Sequence, residues 1–415
     1  MVKKNIKSWG NNFSKYVEIS TSISNMGSIN VGNQNSYGDC FIPHSKKAIS
    51  SLKKRSGKTL LDSKTTISEY IKNENSYLYG IPGKSNVTLA GALASDTHGK
   101  DNLWGGSFSK NISNFDLRIS NNEIINCSLN ENFEVFEATI GGYGLTGCIE
   151  NIEFKPNDIP KVFTLEKSTI KGESFESLFS NFKESKFEYW VAWINLYSRN
   201  YEFVIEKSQF VDDQSKVSIK NNKNYEFEKI SLPFIGRNLF NTMSFINKTY
   251  YKISRDNTKK VTSYEKVLYP LSLMSDTRNI SSKRKILQIQ FSIPLKNEKY
   301  IEELVSTLIY KQTPLLCSVK RINDKRFKNN LSFVQNGWTL AIDFPEKYFN
   351  FKSYENFTNK LIKYEGKIYL AKDSLLDKKN FREMYPEFKE WSKNLKKIDP
   401  NRKFRSALSE RLELK

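Results

Sequence analysis

The chain has 415 residues, of which 38% are hydrophobic and 27% charged, proportions that are typical of a globular protein rather than a disordered or fibrous one. No run approaches the roughly 18 apolar residues of a membrane-spanning helix, and the N-terminus lacks the apolar segment of a signal peptide, so we expect a cytoplasmic protein. The net charge of +20 is compatible with nucleic acid, an anionic membrane surface or a phosphorylated substrate, but no basic block interleaved with aromatic residues favours nucleic acid.

The cysteines and histidines are too few and too dispersed to predict a metal site. The 4 cysteines form no CxxC pair, which favours a reducing compartment, and the chain has only 2 histidines. Length alone favours two or three domains.

Three composition segments follow one another along the chain. Up to about Pro156, stretches such as "SNVTLAGALASDTHG" and "NFDLRISNNEIINCSL" predict mixed helices and many short strands between glycine turns. Next come the strand-like runs "FEYWVAWINLYS" and "ILQIQFSIPL", with a helix predicted near Tyr300 to Ile309. The C-terminal segment has apolar residues at helical spacing and a break at Pro400, which predicts two helices.

A glycine motif in "IGGYGLTGCI", residues 140–149, matches the G-x-G-x-x-G spacing of a nicotinamide-binding turn. Such a turn must follow a strand and open a helix. Here "NENFEVFEAT" predicts a helix before the glycines, with Asn132 as its N-cap, and the residues from Cys148 to Phe154 predict a strand after them. We therefore exclude a nicotinamide site, while a tight turn without a ligand stays an alternative.

Three motifs together carry a family resemblance: "IPGKSNVTLAGALASDTHGK" (81–100), "GGSF" (105–108) and "ATIGGYGLTGCI". In order and spacing they resemble the FAD-binding domain, of the PCMH type, of the vanillyl-alcohol-oxidase superfamily, and within it the sugar oxidases. The likeness continues through "YWVAWINL", "YPLSLM", "LQIQFSIP", "GWTLAIDFP", "IYLAKDS" and "DPNRKFRSALSERLEL". It covers nearly the whole chain.

The resemblance implies an α+β fold with a two-lobed FAD-binding domain built from the N- and C-terminal segments, residues 1–158 and 367–415. Residues 159–366 would form a central substrate-binding or cap domain with an antiparallel sheet and flanking helices.

The resemblance also implies the site residues. The cofactor would contact Gly32, Ser36, Tyr37, Gly38, Asp39, Gly83, Thr88, Gly91, Ala92, His98, Gly99, Ser107, Gly141, Gly142, Gly144, Gly147 and Ile149. The substrate would contact Lys100, Tyr269, Gln288, Gln290, Lys320 and Lys372. Lys372 and His98 would be catalytic, with Lys372 at the end of a strand acting as a cation beside the flavin or as a proton acceptor.

The first flavin loop departs from the family pattern. Where the family reads R-G-x-G-R-S-Y-G-D, this chain reads "VGNQNSYGD", so Val31, Gln34 and Asn35 replace Arg, Gly and Arg. No histidine occupies the position that attaches FAD covalently in some relatives, so we expect a dissociable cofactor. Ala341 stands where some relatives have a cysteine.

The resemblance implies oxidation of a secondary sugar hydroxyl to a ketone by hydride transfer to flavin N5. The family precedent is the 2-hydroxyl of a polyprenylphosphoryl pentofuranose, in the first half of an epimerisation that a short-chain NAD(P)H reductase completes in cell-wall polysaccharide biosynthesis. The positive charge would favour peripheral association with the inner face of the membrane. The alternatives are an aldonolactone or free-sugar oxidase, and a flavin-poor descendant without catalysis.

Overall fold

The computed structural model describes residues 2–20, 28–49, 60–157, 159, 164–183, 187–211, 239–269, 285–323, 327 and 330–414. Within these ranges the chain forms three β-sheets with helices packed against them. Helices combined with mainly antiparallel sheets confirm the predicted α+β class. None of the described helices is long and apolar enough to cross a bilayer. Most of the predicted "YPLSLM" motif lies outside the described residues.

The first sheet consists of β1 (Val2–Lys7), β2 (Ser14–Ser20) and β3 (Lys47–Ile49). β1 and β2 form an antiparallel hairpin, and β3 runs parallel to β2. The turn of the hairpin contacts the third sheet, because the Ile286 N–H donates to the Gly10 carbonyl over 2.9 Å.

The second sheet is antiparallel and has the order β4-β7-β5-β6. Its strands are β4 (Leu60–Asp62), β5 (Ile112–Arg118), β6 (Ile124–Ser128) and β7 (Cys148–Phe154). The helices within this part of the chain are α1 (Ile67–Glu74), α2 (Leu89–Ala94), α3 (Asn102–Gly105) and α4 (Phe133–Thr139), with a 3-10 turn at Phe108–Asn111. The glycine motif lies between α4 and β7, which confirms the predicted helix-to-strand order.

The third sheet is antiparallel, with the order β11-β8-β10-β9-β13-β14-β12-β15. Its strands are β8 (Thr164–Gly172), β9 (Tyr189–Ile194), β10 (Phe203–Phe210), β11 (Thr258–Ser263), β12 (Ile286–Pro294), β13 (Leu316–Ile322), β14 (Gly337–Pro345) and β15 (Lys367–Ile368). The helices around it are α5 (Phe175–Lys183), α6 (Leu239–Ile253), α7 (Tyr264–Leu268), α8 (Ile301–Ile309) and α9 (Phe351–Lys363), with 3-10 turns at Leu295–Tyr300 and Glu346–Tyr348.

The two faces of β12 have different character, as the period-two alternation of a strand requires. Leu287, Ile289, Phe291 and Ile293 belong to the core cluster that includes apolar residues of α8 and α9. Phe291, for example, packs edge-on against Phe357 at 5.0 Å between ring centroids. The alternate residues Gln288 and Gln290 therefore lie together on the opposite face.

The stretch "SNVTLAGALASDTHG", for which mixed helices and strands are predicted, contains the helix α2, which Thr88 caps by accepting the Gly91 N–H. The predicted number of C-terminal helices is wrong. The C-terminal segment forms α10 (Lys378–Met384), α11 (Phe388–Ile398) and α12 (Ala407–Arg411) instead of two helices. Pro386 separates the first two, since proline restricts the preceding residue and lacks an N–H.

The C-terminal segment packs on the N-terminal one. The Trp391 indole Nε1 donates to the Ala138 carbonyl over 2.9 Å, and Ser28 and Pro43 form isolated β-bridges with Phe404 and Ser406. These contacts agree with a cofactor domain built from both ends of the chain, but the boundaries at residues 158 and 366 stay predictions.

Gly38 lies where this packing is tightest, and a Cβ added there would be 1.8 Å from the Asp373 carbonyl oxygen. We predict that Gly38→Ala lowers the free energy of unfolding by about 1–3 kcal/mol, because either backbone segment must move. Urea denaturation measures this change. Gly83→Ala is the matched control, since its Cβ would meet nothing within 4 Å, and a similar loss for both variants would contradict the interpretation.

Candidate active site

One cleft of roughly 1190 Å³, including space open to solvent, is lined by segments that are far apart in the sequence. The predicted cofactor residues in its lining are Gly32, Ser36, Gly83, Thr88, Gly91, His98, Gly144, Gly147 and Ile149. The predicted substrate residues in the same lining are Gln290, Lys320 and Lys372. The fold therefore brings members of both predicted sets into one cavity.

The first loop, residues 30–39, contributes to the lining of the cleft although it lacks the arginines and the second glycine of the family pattern. Gln34 takes the glycine position with a φ of +57°, a left-handed conformation that favours glycine. Its Oε1 accepts the Lys7 N–H over 2.7 Å, and the Asn33 and Asn35 amides donate to the Asn86 carbonyl over 2.9 and 3.1 Å. The side chains of Gln34, Asn33 and Asn35 thus link this loop to β1 and to the loop of residues 82–88.

The second loop, residues 82–88, presents backbone to the cleft at Gly83, where an added Cβ would meet nothing within 4 Å. The N–H groups at the start of α2 are already used inside the protein. Leu89 and Ala90 donate to carbonyls over 2.9 and 3.0 Å, and Gly91 donates to the Thr88 hydroxyl over 3.1 Å. The backbone around Gly83 is therefore more open to a ligand than the first turn of α2.

The glycine turn contributes one wall of the cleft. Gly144 has a φ of +75°, and a Cβ on Gly147 would be 2.8 Å from a carbonyl oxygen of β5. Side chains at these two positions would require strained or displaced backbone. Both glycines line the cleft together with Ile149, while Gly141 and Gly142 are outside its lining.

The sequence predicts Lys372 at the end of a strand, but the residue lies in a turn that follows β15. The strand ends at Ile368, and the N–H groups of Lys372 and Asp373 both donate to the Tyr369 carbonyl, over 3.0 and 3.1 Å. Tyr369 is fixed in turn by its own N–H, which donates to the Gln290 carbonyl over 2.8 Å. After Tyr369 the chain therefore turns instead of continuing to pair with β12.

Two lysines dominate the electrostatics of the cleft. Burial lowers the pKa of Lys372 to about 8, although the negative charge of Asp343 opposes this shift. Burial, followed by repulsion from Lys372, lowers the pKa of Lys320 to about 7. The Lys320 Nζ donates to the His98 carbonyl over 3.1 Å, and the Lys372 Nζ lies 5.7 Å from the centroid of the Tyr37 ring. The site can therefore exchange protons near neutral pH.

His98 is held as a neutral imidazole. Burial lowers its pKa well below the usual value, and the charges of Lys320 and Lys372 lower it further. With the Gln290 amide assigned as donor to Thr339 over 2.9 Å and to the His98 Nε2 over 2.8 Å, Nε2 accepts and Nδ1 carries the hydrogen.

A bound flavin fits the polar groups that this cleft leaves open. In the described structure the buried atoms His98 Nδ1 and Gln290 Oε1, which belong to residues of the cleft lining, have no hydrogen-bond partner. The isoalloxazine edge offers both N–H and carbonyl groups to such atoms, and the lysines suit anionic phosphates.

The sequence of the chain is similar to those of known oxidases. Over 346 residues the chain is 25% identical to decaprenylphosphoryl-beta-D-ribose oxidase of Mycolicibacterium smegmatis, covering 80% of this chain and 75% of that protein. The chain is similar to a sugar oxidase. The family model for D-arabinono-1,4-lactone oxidase matches residues 339–412, which include Lys372. A third match, 34% identical over 68 residues, is an uncharacterised Streptomyces coelicolor protein from the mprA 5′ region, with 16% of this chain and 18% of that protein covered.

These findings confirm the predicted resemblance to an FAD-linked oxidase. The match to decaprenylphosphoryl-beta-D-ribose oxidase extends over most of the chain, so it covers more than the flavin motifs. The individual site residues and the domain boundaries stay predictions.

Several predicted residues lie outside the lining of the cleft: Tyr37, Gly38, Asp39, Ala92, Gly99, Lys100, Ser107, Gly141, Gly142, Tyr269 and Gln288. Ala92 is buried in the core around the second sheet. The Lys100 Nζ donates to the Val267 carbonyl, and burial lowers its pKa to about 8. Ser107 pairs with His98 in an isolated β-bridge.

Two residues with site roles were missed from the sequence. Asp343 on β14 lies opposite Gln288 and accepts a hydrogen bond from its amide; burial raises the pKa of Asp343 to about 6. Asp343 alternates with Thr339 and Ala341 in "TLAIDFP", so the sequence pattern indicates that these three side chains share one face of the strand. Arg411 contacts Asp39 and Asp373, which are 372 and 38 residues away, so no local pattern indicates the link.

We predict that Lys320→Met stabilises the protein more at pH 6.5 than at pH 9. The folded pKa of Lys320 is about 7, whereas an unfolded lysine titrates near 10.4, so between these values the unfolded wild type binds more protons and its stability rises with pH. Replacing Lys320 removes this rise. We expect the benefit to fall by at most about 1.4 kcal/mol per pH unit, measured by urea denaturation, and a pH-independent difference would contradict the assignment.

Proposed function

We propose that the protein is an FAD-dependent oxidoreductase that oxidises a secondary sugar hydroxyl to a ketone. The favoured substrate is the 2-hydroxyl of a polyprenylphosphoryl pentofuranose. The observation that carries the proposal is the meeting of two flavin-type loops with Lys372, Lys320 and Gln290 in one cleft. The similarity to decaprenylphosphoryl-beta-D-ribose oxidase supports the substrate class.

The cofactor, when bound, would supply hydride acceptance at flavin N5. The chain must then bind the sugar, orient its carbinol hydrogen and manage the hydroxyl proton. We propose that the cofactor dissociates reversibly, since no histidine was found at the position that attaches FAD covalently in some relatives.

Lys372 is the proposed proton acceptor. Its pKa of about 8 leaves a usable fraction of neutral amine near physiological pH, and Asp343 stabilises the ammonium that forms when it takes the hydroxyl proton. That ammonium then offsets the negative charge delivered with the hydride. One residue can thus serve both roles that the sequence left open, and oxidation should accelerate with pH through about 8.

His98, Gln290 and Lys320 are proposed to bind and orient. The neutral His98 can donate from Nδ1, and the Gln290 carbonyl oxygen can accept from a sugar hydroxyl or a flavin N–H. Lys320 adds a cation for an anionic group of the substrate.

An aldonolactone oxidase is the second candidate. The family model of D-arabinono-1,4-lactone oxidase matches residues 339–412, the segment with Asp343 and Lys372. That match covers only the C-terminal part of the chain, whereas the similarity to the ribose-lipid oxidase covers 80%. We therefore place the lactone second.

The remaining parts of the proposal concern partners. We propose that a short-chain NAD(P)H reductase reduces the ketone with inversion, which completes an epimerisation in cell-wall biosynthesis. The net charge of +20 supports peripheral association with the inner face of the membrane, where a polyprenylphosphoryl substrate is accessible.

The purified protein should bind FAD, and Lys372→Ala should retain the flavin but lose its reduction. We predict that anaerobic bleaching by polyprenylphosphoryl pentofuranose slows at least about 100-fold in this variant, because general-base catalysis is removed. Stopped-flow absorbance near the flavin maximum measures the rate. Lys363→Ala at the exposed end of α9 is the control, and equal bleaching by both variants would remove Lys372 from the mechanism.

The substrate class can be tested on the same loaded protein. We expect polyprenylphosphoryl pentofuranose to bleach the flavin at least about tenfold faster than aldonolactones or free pentoses, since the lysines of the cleft favour a phosphate-bearing ligand. Rapid bleaching by a lactone alone would select the second candidate. A protein that stays colourless with excess FAD would refute both candidates and favour the non-catalytic alternative.

A further inference from the structure

We infer that Arg411 is a positioning residue that links the first flavin loop to the turn that carries Lys372, so that cofactor binding and the placement of Lys372 depend on one guanidinium. The inference rests on the proposed function of the cleft. It assigns a role to a side chain outside the cleft lining.

Arg411, the last residue of α12, forms a fork between two loops. Its Nε and Nη2 donate to the two carboxylate oxygens of Asp39, each over 2.9 Å, and Nη2 also donates to Asp373 over 2.9 Å. The Asp39 and Asp373 side chains are 2% and 0% exposed. A planar guanidinium matches two carboxylates in this way, whereas a lysine ammonium is a point charge.

Asp373 transmits this contact to Lys372, its neighbour in sequence. One carboxylate oxygen binds Arg411, and the other accepts the N–H groups of Leu375 and Leu376 over 3.0 Å each. The carboxylate therefore fixes the backbone that follows Lys372. If the Asp373 carboxylate moved, the hydrogen bonds that hold the backbone after Lys372 would be lost.

The first flavin loop is held against the same turn at two further points. The Ser36 hydroxyl donates to the Ala371 carbonyl, and Gly38 approaches Asp373 too closely for a side chain. Both contacts form only when the two loops lie side by side in this alignment. Arg411 adds an attraction between opposite charges to these contacts.

Removing that charge would leave Asp39 and Asp373 as two buried anions facing each other. The described titratable groups around the guanidinium are Asp39 from the first loop, Asp373 from the Lys372 turn and Tyr354 from α9. Two buried carboxylates without a cation favour one shared proton at low pH and repel each other when both ionise. The defect caused by losing Arg411 should therefore grow as the pH rises.

The test titrates FAD by fluorescence into the wild type, Arg411→Met and Arg411→Lys at pH 5.5 and pH 8.5. We expect Arg411→Met to weaken FAD binding relative to wild type at least about tenfold more at pH 8.5 than at pH 5.5. The FAD affinity of Arg411→Lys should lie between those of the wild type and Arg411→Met. Arg411→Lys should also shift the pH midpoint of substrate-driven bleaching by about half a unit, because Lys372 moves relative to its neighbours.

The matched control is Arg405→Met, since Arg405 also binds a carboxylate, Glu410, on the same segment but at a more exposed site. It should match the wild type in FAD affinity and in the bleaching midpoint at both pH values. Asp39→Asn combined with Arg411→Met leaves Asp373 as the remaining carboxylate of the pair, so two anions no longer repel each other. The pH dependence of FAD binding should be much weaker in this double variant than in Arg411→Met, and the double variant remains informative if Arg411→Met alone does not fold.

The inference is overturned if Arg411→Met binds FAD like the wild type at both pH values. It is also overturned if the double variant keeps the single variant's pH dependence, or if Arg411→Lys leaves the bleaching midpoint unchanged. Failure of the wild type to bind FAD is a separate result, which refutes the proposed function itself.

Discussion

The ion-pair cluster of Arg411 with Asp39 and Asp373 joins the two ends of the chain at the cleft. Asp39 belongs to the segment between β2 and β3 of the first sheet, Asp373 follows the last described strand, and Arg411 lies at the end of the last described helix. Buried carboxylates need a partner, because desolvation without one is costly. The cluster satisfies that requirement only when both loops are in place, so the shape of the site depends on it.

The chemistry of the cleft follows from placing two lysines where they are partly removed from water. Burial lowers the pKa values of Lys320 and Lys372 to about 7 and 8, and the neighbouring charges keep His98 neutral. Asp343 offsets part of this positive charge, and Gln288 holds its carboxylate. A site with titrating lysines and unpartnered amide and imidazole atoms suits proton transfer from an alcohol together with binding of a polar cofactor.

The sequence predicted those parts of the structure that depend on local patterns or on several motifs in a fixed order. The helix before the glycine turn, the strand after it and the shared face of Gln288 and Gln290 all follow from periodicity. The turn at Lys372 was missed, because hydrogen bonds to Tyr369 override the strand-like alternation of "KIYLA". The Arg411 link joins residues more than 300 positions apart, so no local signal could reveal it.

The first flavin loop lines the cleft although its sequence differs from the family pattern. Gln34 and Asn35 bind neighbouring backbone at positions where the family pattern has a glycine and an arginine. The central claim is that this loop, the Gly83 loop and Lys372 surround one flavin. A crystal structure of the protein with FAD tests it most directly. We predict the phosphates near Gly83 and the Lys372 Nζ within hydrogen-bond distance of the isoalloxazine N1–C2 edge; FAD bound elsewhere, or an empty cleft at saturating FAD, would contradict the claim.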